Sequence, residues 1–286
     1  MTIVIGMGGG YDIVAAYMLT ATFANEHDEF ENVDIGGFLN PKFRHVYRQE
    51  DGQYDEEKAI NLVRDAKKYR ISNGKSVSFI DSFLAQHVPN TVYNFSIHDI
   101  RAVVNFLSTH YTRIIFCDVG GDVLFSGEKD NMVKTPLIDA FALKIAQELD
   151  KRVSVGVMLL GLGFDGELPY ANIKYNMERL YRINAITNVW EMNRRSIIEL
   201  EKIYYTIREL GKGKTIQLLI DTWYGRVTNA DIFEKRRIRD FTEWYNKGYC
   251  VSPSHLSEIN PLCVESDFLS MFQQAKRLGV SMRRYI

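Results

Sequence analysis

Short runs of β-branched and aliphatic residues alternate along the chain with longer stretches of apolar or amphipathic character. The first run, Thr2-Ile3-Val4-Ile5, leads into a glycine turn from Gly6 to Gly10. Asp12 to Phe23 follows, long and apolar enough for a buried helix. Comparable strands are predicted at about Asn32 to Ile35, Ser76 to Ile80, Val92 to Phe95, Ile114 to Cys117, Ser154 to Leu160 and Ile216 to Ile220. Helices are predicted over Glu56 to Tyr69, Ile97 to Thr109, Pro136 to Leu149 and, with interruptions, Asn172 to Leu210. Thr135-Pro136 is a start signal: threonine can accept an orphan helix N–H, and proline is preformed for the first turn.

Strands alternating with helices imply an α/β fold with a mainly parallel, doubly wound (Rossmann-like) sheet and helices on both faces. At 286 residues the chain is near the size where single cores stop growing. It contains no internal repeat, low-complexity tract or proline-rich linker, so one α/β domain over residues 1–286 is expected, more helical from about residue 171. The segment Phe38 to Tyr54, with Phe38, Phe43, Tyr47 and Tyr54, reads as an insertion that could cover a ligand.

Composition narrows the class. Lys plus Arg number 35 against 36 Asp plus Glu, which leaves no excess charge to hold a nucleic-acid backbone or an anionic membrane surface. The basic run at Lys235, Arg236, Arg237 and Arg239 lies in a stretch of helical character and reads as a solvated face. A mean hydropathy of -0.19 gives no hint of a membrane protein. The cysteines, Cys117, Cys250 and Cys263, are odd in number and lack C-x-x-C spacing, which argues against a disulfide framework or zinc knuckle and fits a reducing, cytoplasmic setting. The apolar start lacks a basic leading region and carries Asp12 and consecutive glycines, unlike a signal peptide.

Candidate chemistry gathers in three loops, each after a predicted strand. In Gly6-Met7-Gly8-Gly9-Gly10-Tyr11-Asp12, Gly8, Gly9 and Gly10 would let the backbone approach a phosphate or carboxylate at a helix N-terminus. Tyr11 stands where the third glycine of G-x-G-x-x-G would fall, so a dinucleotide fingerprint is weakly supported. Asp12 is a metal ligand or a helix cap. In Asp118-Val119-Gly120-Gly121-Asp122, two carboxylates flank a glycine turn whose Gly120 and Gly121 could also meet ligand; Asp118 and Asp122 are the expected ligands for Mg²⁺. The third loop, Gly161 to Pro169, repeats the pattern, with Gly163 against ligand and Asp165 or Glu167 orienting the attacking water or hydroxyl alongside Asp122. Glu128 and Asp139 are second-rank candidates.

Other features are discounted. Gly211-Lys212-Gly213-Lys214-Thr215 resembles the tail of a P-loop, but Arg208 stands where the earlier glycine is required and a strand is expected to follow. It reads as a helix C-cap with exposed lysines. His98 has no partner by spacing, and Trp190, Trp223 and Trp244 read as core or interface residues, although Trp223-Tyr224-Gly225-Arg226 could line a pocket with Arg226 toward an anion.

With its G-x-G-G-G-x-D, D-x-G-G-D and G-x-D-G-E-L loops, and with Thr135 to Ala140 as the helix start after the second, the chain resembles an uncharacterised archaeal and bacterial family known as a domain of unknown function. In that family the opening loop usually reads as four glycines and an aspartate, so Tyr11 is a departure. The resemblance implies a single unit and a shared site, and no particular reaction.

The expected function is a metal-dependent hydrolase or transferase acting on a nucleotide or phosphorylated small metabolite, with Mg²⁺ offsetting the conflict between an acid-rich site and an anionic substrate. Two other readings use the same residues. One is a metal-free acid/base enzyme on a sugar or amino-acid-like substrate, as in N-glycosidic cleavage; the other is a non-catalytic nucleotide sensor or interaction module. The Tyr-rich helices between Tyr170 and Tyr205 could form a homodimer face, and a core helix pair explains them equally well.

Overall fold

A computed structural model describes residues 1–8, 10–23, 33–38, 59–63, 68–70, 76–78, 80–97, 99–127, 133, 136–164, 166–208, 213–226, 244 and 246–280. The first half runs β1 (Thr2–Gly6), α1 (Asp12–Phe23), β2 (Val33–Phe38), β3 (Ile60–Val63), β4 (Lys68–Arg70), β5 (Ser76–Ser78), α2 (Ile80–His87), β6 (Val92–Phe95), α3 (Ile100–His110) and β7 (Arg113–Val119). Then come α4 (Pro136–Leu149), β8 (Ser154–Leu160), α5 (Tyr170–Arg182), β9 (Ile186–Glu191), α6 (Arg194–Ile207), α7 (Lys214–Trp223), β10 (Lys247–Val251), α8 (Pro253–Ile259) and α9 (Phe268–Arg277).

Eight strands form one sheet in the order β3-β6-β2-β1-β7-β8-β10-β9, while β4 and β5 pair separately. The central strands β6, β2, β1, β7 and β8 are all parallel, and β3 and β10 join antiparallel. β1 and β7 carry near-continuous apolar runs, as strands covered on both faces must. Successive residues of β2 show the two faces. Gly36 lies against Phe95 and Ile5, and Phe38 packs on Phe141 of α4; Gly37 lies against Ile13 of α1 and Asp81 of α2. The α/β, doubly wound architecture is therefore present with helices on both faces.

The order also fixes where a ligand would sit. From β1 the chain moves outward through β2 to β6, then returns to place β7 on the other side of β1. The crevice between the carboxyl ends of β1 and β7 is the point of reversal, where open α/β sheets bind ligands.

Several expectations change. The helix predicted over Glu56 to Tyr69 is replaced by strands β3 and β4, a case of an apolar segment whose partner strand outweighs its local preference. The strand predicted at Ile216 to Ile220 is instead part of α7: Ile216, Leu219 and Ile220 are buried at helical spacing and Trp223 continues the stripe. A helix therefore does follow, with Gly213 as its N-cap and Lys214 as its first residue, but α6 rather than a strand precedes it, so the P-loop reading still fails. Trp223 to Arg226 ends a helix, not a strand; Arg226 lies over the Tyr224 ring and near Asp221 and Glu201. β9 and β10 were not anticipated. The basic run at 235–239, His98, Thr135 and residues 39–54 of the expected insertion lie outside the described residues. Among the described residues, no helix is long and apolar enough to cross a membrane.

Candidate functional site

The opening loop binds β1 to β7 before it turns into α1. The Met7 N–H donates to the Cys117 carbonyl at 2.8 Å, which carries the pairing of the two strands one residue past Gly6. The Gly8 N–H then donates to Oδ2 of Asp12 at 2.6 Å, so the first helical residue holds the loop that precedes it. Both glycines are required sterically. A Cβ on Gly6 would run into the backbone of Asp12 and Ile13, and one on Gly8 would strike Asp12 Oδ2 and come within 3.5 Å of Asp139 Oδ1.

Asp12 is joined at this point by two buried acids. Asp118 is the penultimate residue of β7 and Asp139 lies in the first turn of α4; they are 1% and 2% exposed. One carboxylate oxygen from each of Asp12, Asp118 and Asp139 lies within 4.8 Å of the other two. Two ligands of one ion can be no further apart than twice the metal–oxygen distance, about 4.2 Å for Mg²⁺ and roughly 4.6 to 5.2 Å for Ca²⁺. The cluster thus has the span of a coordination shell, slightly open for Mg²⁺. Its donors are all oxygen, the set preferred by hard divalent cations. Three carboxylates this close repel one another unless a proton or cation intervenes. Directly below, the Cys117 thiol is buried, and burial with the charges of Asp12 and Asp118 pushes its pKa well up, so it stays a thiol.

The expected site residues divide. Of the expected metal pair, Asp118 is in the cluster, whereas Asp122 is buried in a 3-10 turn, Asp122–Leu124, of the same loop. That turn is held from several sides: Val123 N–H donates to Asp118 Oδ2 at 3.4 Å, Asn260 Nδ2 to the Val123 carbonyl at 3.1 Å, and Asn176 Nδ2 to the Leu124 carbonyl at 2.9 Å. Glu167 is buried on the loop after β8. Asp165, Gly9 and Glu128 lie outside the described residues.

The glycines behave differently from a simple phosphate cradle. Gly120 N–H donates to the Leu160 carbonyl at 3.0 Å and Gly163 N–H to the Gly120 carbonyl at 2.6 Å, which zips the second and third loops together. With the Gly8 N–H on Asp12, these three donors are engaged within the protein. Gly121 starts the 3-10 turn at φ 102, a conformation few residues other than glycine accept, and Gly10 is exposed with open space around it.

A family profile described as Protein of unknown function (DUF1152) matches residues 52–278, well over half of the chain. The chain belongs to this family. The DUF1152 match takes in Asp118 and Asp139 and begins after the opening loop, so Asp12 reaches the cluster from outside the matched stretch. No curated protein and no solved structure shows significant similarity.

In this DUF1152 protein, Asp139 is the residue that spacing ranked too low. It stands twenty-one positions after Asp118, and only the docking of α4 on β7 and β8 brings the two together. The available signal was an acid in the first turn of a helix that follows a glycine-acid loop.

Proposed function

We propose that the chain is a divalent-metal-dependent hydrolase or transferase acting on a nucleotide or phosphorylated small metabolite at the β1–β7 crevice. The observation that carries this reading is the convergence of Asp12, Asp118 and Asp139, two of them buried, at the reversal point of the sheet. Burying carboxylates side by side is costly, and a hard cation offsets that cost while giving an anionic substrate a partner in an otherwise repulsive site. When bound, such a cation would polarise the phosphoryl group. Asp12, Asp118 and Asp139 would hold it, and Asp122 and Glu167, on the adjoining loops, are the groups to orient water or a hydroxyl.

The test is calorimetric titration of the purified chain with Mn²⁺ and Mg²⁺, repeated on Asp118→Asn, followed by a phosphatase and nucleotidase screen with and without EDTA. Saturable metal binding lost in the variant, with turnover that EDTA abolishes, is the expected result. Turnover that survives EDTA would transfer the site to metal-free acid/base catalysis, and metal-independent ligand binding without turnover to a sensor.

A further inference from the structure

The residue that precedes Asp12 in the opening loop touches a part of the chain almost two hundred positions away. The Tyr11 carbonyl accepts from the N–H groups of Val14 at 2.9 Å and Ala15 at 3.4 Å, so its backbone begins α1. Its side chain lies at the junction of α6 and α7. The ring centroid is 6.3 Å from that of Tyr204 on α6, with the planes at 57°, and the hydroxyl donates to the Ile207 carbonyl at 3.5 Å. Gly213, the N-cap of α7, completes the seat: a Cβ there would lie 2.7 Å from Tyr11 Cε1 and 2.7 Å from Tyr204 Cε2, closer than real Cβ atoms come. The two rings and the start of α7 meet as they do because position 213 has no side chain.

The ring, more than the hydroxyl, makes this contact. An O–H···O bond is normally about 2.5 to 3.0 Å long, so the longer one to Ile207 holds little. Burial, with Tyr204 adding to it, pushes the Tyr11 pKa up to about 12; the phenol therefore keeps its proton at neutral pH and is no general base. What the ring holds is the turn. From Ile13 onward α1 is fixed by its own buried residues, and before Tyr11 stands Gly10, exposed and with nothing within 4 Å of where a Cβ would be. Across this same turn Asp12 Oδ2 accepts from the Gly8 N–H. Tyr11 is thus a side-chain anchor between a glycine in open space and the acid.

We propose that Tyr11 is a positioning residue of the metal site: its ring, seated against Tyr204 and Gly213, ties the opening loop to the α6–α7 junction and fixes where the Asp12 carboxylate stands. This rests on the reading of Asp12, Asp118 and Asp139 as the metal ligands. It makes the carboxyl-terminal helices part of the site's support, although they supply none of the three acids. Residues that orient metal ligands without binding the ion commonly cost about tenfold or more in metal affinity when removed.

The experiment is calorimetric titration of the full chain with Mn²⁺, on wild type, Tyr11→Phe, Tyr11→Ala, Gly213→Ala and the double variant Tyr11→Ala/Gly213→Ala. Tyr11→Phe keeps the ring and is expected to bind within about twofold of wild type, while Tyr11→Ala loses roughly tenfold or more. Gly213→Ala leaves both rings in place but crowds them, so it weakens binding in the wild-type background and adds nothing once Tyr11 is already alanine. Backbone strain at Gly213, whose φ is 31, is common to both backgrounds and cancels in that comparison. Tyr11→Ala that binds like wild type, Tyr11→Phe that falls as far as Tyr11→Ala, or a Gly213→Ala effect that is the same in both backgrounds overturns the positioning role and leaves the metal site standing. Wild type that binds no Mn²⁺ removes the metal reading and, with it, this role.

Discussion

Gly8 and Asp12 are joined across the turn into α1 by a backbone N–H to carboxylate hydrogen bond of 2.6 Å, which aims the carboxylate at Asp118 and Asp139. A methyl group at position 8 collides with the oxygen that accepts this bond. Gly8→Ala is therefore expected to weaken Mn²⁺ binding at least tenfold and to destabilise the fold by about 1 to 3 kcal/mol, as overpacking does. Titration calorimetry and urea unfolding measure the two effects. Unchanged metal affinity would remove Asp12 from the ligand set.

The cluster also predicts opposite effects of one substitution in two conditions. Asp139→Asn relieves repulsion among three buried or half-buried carboxylates, so the metal-free protein should melt at the same temperature as wild type or higher. The variant should also lose the rise in Tm that Mn²⁺ gives wild type. A variant that melts lower without metal and keeps the Mn²⁺ response would show that Asp139 serves packing alone.

The strands that form the floor of this site were legible because each of β1, β7 and β8 is a continuous apolar run ending in glycine and acid, a pattern that buried parallel strands impose. Asp12 and Asp118 were visible for the same reason. Asp139 was undervalued because only the docking of α4 brings its first-turn acid to the loop, and the buried Asp81–Asn94 pair was missed because helix docking and strand order place it with no local signal. Ile216 to Ile220 was misread because so short a segment, apolar except for Gln217, fits a strand and a helix equally; Trp223, one turn on, was the clue to the helix. Gly163, expected to lie against ligand, also donates its N–H to the Gly120 carbonyl, a loop-to-loop bond that sequence cannot reveal.

That bond has a counterpart in the two asparagines beneath the Asp122 turn. Asn260 is fully buried, donates to the Val123 carbonyl, and accepts from Leu262 N–H at 3.1 Å. Asn260→Leu leaves both backbone groups without those partners and is expected to cost roughly 2 to 6 kcal/mol, at about 1 to 3 for each unsatisfied group. Asn176→Leu removes only the bond to Leu124 and should cost less. Urea midpoints with unchanged m-values would measure both, and equal midpoints for the two variants would refute the ranking.

Asp81 gives the clearest pH dependence. Burial raises its pKa from 3.8 to about 7, against hydrogen bonds from its own backbone and from Asn94 that act to lower it. Below pH 3.8 the acid is protonated in both folded and unfolded chains and contributes nothing to the balance. Between that point and pH 7 the unfolded chain releases the proton while the folded chain keeps it, so this group makes stability fall as pH rises and then level off. The full loss is on the order of 4 kcal/mol, from 1.36 kcal/mol for each pH unit of the gap. Asp81→Asn should remove that decline, leaving the variant more stable than wild type at pH 8 and closest to it near pH 4. Urea unfolding of both proteins at pH 4, 6 and 8 is the measurement. A stability difference that does not grow with pH would mean that Asp81 ionises in the folded protein as it does in water, and that its carboxylate finds solvation the buried position does not suggest.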